Sequence, residues 1–429
     1  MRNGSADGYV RRVADDELDE LIQALPAIAV EGAKAVGKTA TALRRARTVY
    51  ELDDPEQRAI VEADPDRLLN SPKPVLIDEW QYVPRVWDRV RRAVDAGAAP
   101  GSFLLTGSAS PQGAGSHSGG GRIVSVRLRP MSLAERWPAE ATVSLGELLG
   151  GERPQIGGQT SRSLRDYAEE ILRSGFPGIR RLQGRALRAQ VDTYLQRIVD
   201  RDFPELGHNV RSPGTLRRWM AAYAAATSTS ASLEVIRAAA SAGADRPPAK
   251  TTVLPFRDIL QRLFILDEVP GWQPSRNHIA RLGSAPKHHL ADPALAAALL
   301  GANLDALLAG KSPGPRIPRD GTLLGALFES LITQSVRVYA QHAEAHVRHL
   351  RLQGGNREVD LIVERGDGRV VAIEVKLAQT LRGKDVRHLK WLEQELGDDL
   401  LDAVVITTGR EAYRRADGIA VVPAALLGP

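Results

Sequence analysis

Residues 27–40 read Ala27-Ile-Ala-Val-Glu-Gly32-Ala33-Lys34-Ala35-Val36-Gly37-Lys38-Thr39-Ala40, an apolar run that breaks at a glycine and resumes in a helix-forming stretch to Arg47. Gly32–Thr39 fits G-x-x-x-x-G-K-[ST] in full. The glycines let the backbone turn tightly and aim its N–H groups at phosphate oxygens, and the helix N-terminus that follows adds positive potential. Lys38 can reach β- and γ-phosphates, and the Thr39 hydroxyl can ligate Mg²⁺. Gly32, Ala33, Lys34, Ala35, Val36, Gly37, Lys38, Thr39 and Ala40 are therefore the candidate ATP-binding residues, with Lys38 also catalytic. A strand before the loop and a helix after it is the context this chemistry needs, and it sets the fold class as α/β.

Working outward, Thr48–Leu52, Val75–Ile77 and Phe103–Thr106 are further apolar runs with helical stretches between them. Continuous rather than alternating apolar character predicts a parallel sheet covered on both faces. Val75-Leu-Ile-Asp78-Glu79 ends in two carboxylates. Asp78 is expected to hold Mg²⁺ through water, and Glu79 to orient and activate the attacking water. An ordinary strand capped by exposed acids is the plain alternative, and the complete phosphate loop upstream weighs against it. The run Phe103–Ser108 is expected to end near the γ-phosphate, making Thr106 and Ser108 candidate sensors, although a turn explains them nearly as well. Arg122 follows a Gly/Ser-rich loop (108–121). It could contact phosphate in its own chain or reach into a neighbouring subunit of a homo-oligomer.

The composition narrows the class. A chain of 429 residues exceeds one ordinary domain. Its 43% hydrophobic and 25% charged residues exclude a fibrous or wholly disordered protein. No apolar run approaches the ~18 residues of a membrane span, and the N-terminus lacks the apolar core of a secretory signal, so a cytoplasmic protein is expected. Having no cysteine excludes disulfides and thiolate metal sites, and the nine histidines form no HExxH pair. The net charge is +5, with 48 arginines against nine lysines. A GC-rich coding sequence accounts for that bias, and bidentate phosphate contact is the functional alternative.

Three blocks are expected: 1–158, 159–310 and 311–429. The middle block reads as helix over Leu164–Leu172, Arg185–Val199, Pro213–Ala225 and Phe256–Leu263. Residues 310–321, with three prolines, mark the best boundary. A helix Thr322–Tyr339 then precedes a meander Val347–Leu352, Glu358–Glu364 and Val370–Leu377, followed by a helix 385–395 and a strand Ala403–Thr407.

The motifs EGAKAVGKT, VLIDEWQYVP, FLLTGSAS, GGGRIVSVRLRPMSLAE, SGFPG and YLQRIVDRD, in that order, resemble the bacterial and archaeal AAA-type ATPases that carry an uncharacterised C-terminal domain. The resemblance implies an AAA/RecA-like sheet domain and a winged-helix-like module matched by Leu233–Trp272. In the last block, Asp360 followed by Glu374-Val-Lys376 is similar to the PD-(D/E)XK nuclease superfamily, with Glu358-Val-Asp360 in place of its Pro-Asp pair. Glu374 and Lys376 fall on one strand face. That likeness implies a second metal site, with Asp360 and Glu374 binding Mg²⁺ or Mn²⁺, Lys376 stabilising charge and Glu329 as the helical acid. Glu329, Asp360, Glu374 and Lys376 are thus the second catalytic set. His342, His346 and His349 read as a solvated surface run rather than metal ligands. The function expected is a Mg²⁺-dependent ATPase coupled to DNA binding or processing. The rival is a nucleotide-gated signalling or assembly ATPase whose C-terminal domain only binds a partner.

Overall fold

The structure is a computed structural model and describes residues 8–107, 120–208, 210, 212–241, 247–274, 284–309, 322–352 and 356–429. Its contacts divide the chain into two units, Met1–Arg129 with Arg262–Phe264, and Pro130–Gln261 with Ile265–Pro429. Of the expected blocks 1–158, 159–310 and 311–429, residues 130–158 group with the second unit, as do the middle and C-terminal blocks. The proline-rich stretch 310–321, most of the glycine-rich loop and Ser108 lie outside the described residues.

In the first unit, β1 (Ala27–Glu31), β2 (Thr48–Glu51), β3 (Val75–Asp78), β4 (Phe103–Gly107) and β5 (Val124–Arg127) form a parallel sheet in the order β2-β3-β4-β1-β5. Every residue of β3 and β4 is buried, as their unbroken apolar sequences require. Trp80, Val86, Trp87 and Val90 pack against the sheet in one core, with the two indole rings 4.7 Å apart. Because all five strands run the same way, the C-terminal ends of β1, β3 and β4 lie side by side, at the edge where open α/β sheets bind ligands.

The second unit is built on a seven-stranded mixed sheet. The short β6 (Val143–Ser144) lies outside it, and its seven strands are β7 (Gly271–Trp272), β8 (His346–Arg351), β9 (Glu358–Glu364), β10 (Val370–Val375), β11 (Leu400–Thr407), β12 (Tyr413–Arg414) and β13 (Ala420–Pro423). The expected meander is present as antiparallel β8-β9-β10. The helix Arg387–Leu396 then leads to β11, which pairs parallel with β10. A separate two-stranded sheet pairs β6 with β14 (Leu427–Gly428). Beside it the Ala425 amide donates to the Tyr167 hydroxyl at 3.1 Å, joining positions 258 apart.

The motif SGFPG and the residue following GGGRIVSVRLRPMSLAE have a structural job here. Arg136, the residue directly after GGGRIVSVRLRPMSLAE, has a fully buried guanidinium that donates to the Met131 carbonyl at 2.7 Å and the Glu170 carbonyl at 3.1 Å, and stands 3.7 Å from Asp292. Gly175, from SGFPG, presses against it: a Cβ there would stand 2.5 Å from the Arg136 Nη2. The expected winged-helix match supplies the helices Leu233–Ala239 and Lys250–Arg262 but, among the described residues, no two-stranded wing. Leu266 and Val269 instead make single bridges to Leu290 and Lys287, and Trp272 joins the large sheet through β7.

Candidate functional site

At the C-terminal edge of the five-stranded sheet, Gly32–Ala40 wraps from β1 into the helix Lys38–Leu43. Gly37 has φ +107, which a side chain resists. Gly32 is needed for space, since a Cβ would lie 2.2 Å from the Leu128 carbonyl oxygen. Lys38 is 4% exposed and folds back, its Nζ donating to the Gly32 and Ala33 carbonyls at 3.0 Å each. Burial lowers its pKa to about 8, against the opposing pull of Glu79 and Asp78. Lys34 is half-buried, Val36 buried, and Ala35 and Ala40 exposed.

Across the loop, the Thr39 hydroxyl donates to the Asp78 Oδ1 at 2.8 Å. The Thr106 hydroxyl donates to the same oxygen. Burial raises the Asp78 pKa, and the two hydroxyls act against it. Glu79 follows in a left-handed conformation (φ +52), its amide 3.4 Å from the Thr106 Oγ1 and its carboxylate held by the Gln81 amide. The structure therefore brings together Gly32–Ala40, Asp78, Glu79 and Thr106. The donors suit a Mg²⁺–nucleotide: a loop of backbone amides, an ammonium that donates to the loop's own carbonyls, and a hydroxyl paired with a carboxylate.

Arg122 is not brought to this edge. Register pairs Val124 with Ile28, so Arg122 sits at the start of its strand, on the side of the sheet opposite the loop. Its guanidinium pairs with Asp95 at 2.8 Å. A phosphate contact within the same chain is thereby corrected. Sequence reading also missed Arg12, which donates to the Val36 carbonyl at 3.1 Å and the Arg129 carbonyl at 2.6 Å and so braces the loop from behind. Nothing in its local sequence signals that role.

In the second unit Glu329, Asp360, Glu374 and Lys376 do gather, but around an unforeseen partner. Lys287, 1% exposed, places its Nζ 2.7 Å from the Glu329 Oε1, 3.3 Å from the Asp360 Oδ1 and 3.8 Å from the Glu358 Oε1. The other Asp360 oxygen accepts from the Val375 amide at 2.8 Å, and Glu374 pairs with Lys376. Burial first, and the Asp360 charge second, raise Glu329 and Glu374 to about 8. Burial opposes the Lys287 charge, but Glu329 and Asp360 more than offset it and hold its pKa above the ordinary lysine value. Among the described residues no three His, Asp or Glu side chains converge as a metal site. The expected Asp360–Glu374 metal pair is thus not assembled in this arrangement, because an ammonium stands beside Asp360 and Glu374 turns to Lys376.

The histidines also differ from expectation. His346 is exposed, but His349 is 1% exposed and contacts the Ala285 carbonyl through Nε2 at 2.9 Å. The β8–β9 register slips between Arg348 and Leu350, which turns His349 inward out of strand alternation.

Comparison with known proteins agrees with the first site. Residues 25–137 match the family described as an AAA domain. Residues 164–306 and 324–427 match two domains of unknown function, DUF8612 and DUF4143. Over 423 residues the chain is 25% identical to an uncharacterized protein of Mycobacterium tuberculosis and to one of Mycobacterium bovis, covering 96% of this chain and 83% of each relative. A solved Walker-type ATPase of Pyrococcus abyssi aligns at 15% identity with a TM-score of 0.39, over 66% of this chain and 94% of its own. The family match, together with the loop geometry, makes the N-terminal part similar to AAA-type ATPases. No helix among the described residues is long and apolar enough to cross a membrane.

Proposed function

We infer that this chain is a Mg²⁺-dependent ATP hydrolase. The observation that carries the reading is the Thr39–Asp78 hydrogen bond of 2.8 Å, with Glu79 next in sequence. Thr39 and Asp78 would hold Mg²⁺, directly and through water, and the ion would neutralise charge building on the phosphates. Lys38 would exchange the Gly32 and Ala33 carbonyls for phosphate oxygens. Glu79, its carboxylate oriented by Gln81, would position the attacking water and accept its proton. The test is ATP turnover by the full chain: wild type should hydrolyse ATP with Mg²⁺, and Lys38→Ala should neither bind nor hydrolyse it. Full activity in Lys38→Ala would end the reading.

The coupled partner is proposed to be DNA, bound through its phosphates. Its support is the excess of 48 arginines in a chain of net charge +5. Cleavage of that DNA by the Glu329, Asp360, Glu374 and Lys376 set is the weaker part of the reading, because Lys287 fills the space between Glu329 and Asp360. That same contact favours the second reading, an ATPase whose C-terminal unit binds a partner without cutting it. Turnover measured with and without single-stranded, duplex and branched DNA separates the two. Stimulation by any of these supports DNA coupling, and indifference at low salt supports the assembly reading.

A further inference from the structure

We propose that Lys287 is an internal latch: its ammonium occupies the cation position of the C-terminal carboxylate pocket, and a divalent metal enters only by competing with it. The inference concerns the second unit alone and stands whether or not the first unit hydrolyses ATP.

Lys287 arrives on an irregular strand rather than on the sheet that carries the acids. Its amide donates to the Val269 carbonyl and its carbonyl accepts from the Val269 amide, both at 2.9 Å. The His289 carbonyl accepts from the Asp267 amide at 2.9 Å, and the Ala291 amide donates to the Ile265 carbonyl at 2.8 Å. The backbone therefore fixes where the lysine enters, and the side chain reaches helix residue Glu329 and strand residues Glu358 and Asp360 together.

Four carboxyl groups (Glu329, Glu358, Asp360 and Glu374) crowd two ammoniums (Lys287 and Lys376), and Glu329 and Glu374 keep protons in place of a further cation. A second, independent sign of a vacant valence is the Glu374 Oε2, a buried oxygen with no hydrogen-bond partner on a residue that is 7% exposed. Buried acceptors rarely go unpaired unless a proton, water or ion satisfies them. A divalent ion prefers carboxylate oxygens and can displace the protons that Glu329 and Glu374 hold. Lys287 supplies one charge, holds the pocket closed and denies the ion its place between Glu329 and Asp360.

The test compares Mn²⁺ uptake, without nucleotide, by the full-length wild type and Lys287→Met, which keeps the side-chain length and removes the charge. The nucleotide site is common to both proteins and cancels in the difference. Lys287→Met should take up an additional Mn²⁺ at least ~10-fold more tightly than wild type, a difference of about 1.4 kcal/mol, and Lys287→Met/Glu374→Gln should lose the gain. Equal uptake by wild type and Lys287→Met overturns the latch. Should that variant fail to fold, amine acetylation of the wild type, read by mass spectrometry, decides instead. Lys287 should react at least ~10-fold more slowly than the exposed Lys250, and added Mn²⁺ should speed its reaction. Labelling at the rate of Lys250, or protection unmoved by Mn²⁺, overturns the proposal.

Discussion

The Oδ1 of Asp78 accepts two hydroxyl hydrogen bonds, from Thr39 at 2.8 Å and from Thr106, so one carboxylate oxygen ties the phosphate loop to β3 and β4. Asp78→Asn keeps the shape and removes the charge. Turnover is expected to fall by about two orders of magnitude, with a higher Mg²⁺ requirement, when rates are measured across a magnesium titration.

Glu79→Gln separates binding from chemistry. Nucleotide affinity should stay within about threefold of wild type, because Glu79 makes no part of the phosphate loop, while turnover drops by roughly 100-fold on loss of the base. Calorimetric binding of ATP set beside steady-state turnover checks both halves. An unchanged rate would remove Glu79 from the mechanism.

Gly32→Ala tests the close approach behind the loop. A Cβ placed 2.2 Å from the Leu128 carbonyl oxygen must displace backbone, not a flexible side chain. A loss of about 1–3 kcal/mol is expected in denaturant unfolding, together with weakened ATP binding.

Arg136→Met removes a buried cation and leaves buried Asp292 without the guanidinium beside it, while Glu170 keeps Arg180 at 3.0 Å. Breaking a buried pair from one side costs about 3–5 kcal/mol. The second unit should unfold at lower denaturant, whereas binding of ATP in the first unit should survive. A shift below about 0.5 kcal/mol would show that the cluster carries little stability.

Acid should loosen the second unit through His349, whose pKa burial lowers to about 4. An unfolded histidine titrates near 6.5. Between those values the unfolded chain binds the proton and the folded one does not, so stability is full above about pH 6.5 and declines as pH falls toward 4. The most that one such group can contribute is about 3 kcal/mol. His349→Gln should flatten this slope in unfolding measured from pH 7 to pH 4.

The first site was legible because its parts are contiguous. Gly32–Thr39 is one turn of chain, and Asp78-Glu79 ends an unbroken apolar strand, so local pattern alone locates both. Arg122 was misplaced because its order in the chain does not tell which edge of the sheet a residue begins from, and only the Ile28–Val124 register does. Lys287 was invisible for a different reason. It lies 42 positions from Glu329 and 73 from Asp360, in a segment with no periodicity, and tertiary packing alone brings it to them. His349 escaped because a slip in register overrides the two-residue alternation of a strand. The markers GGGRIVSVRLRPMSLAE and SGFPG were visible as patterns, but that Arg136, one residue past the first, presses its guanidinium against Gly175 of the second required both in place.

The pairing of β14 with β6, and of Ala425 with Tyr167, sets an order of events during synthesis. The five strands of the first unit all lie before residue 128 and can close while later sequence is still being translated. The second unit begins at Pro130, yet its small sheet needs residues 427 and 428. At roughly 5–20 residues per second, the residues around Val143 and Tyr167 therefore wait on the order of tens of seconds for their partners. Through that interval the nascent second unit exposes apolar surface that β14 will cover, so a stalled ribosome or a truncation before residue 425 should leave a folded five-stranded sheet attached to a chaperone-dependent remainder.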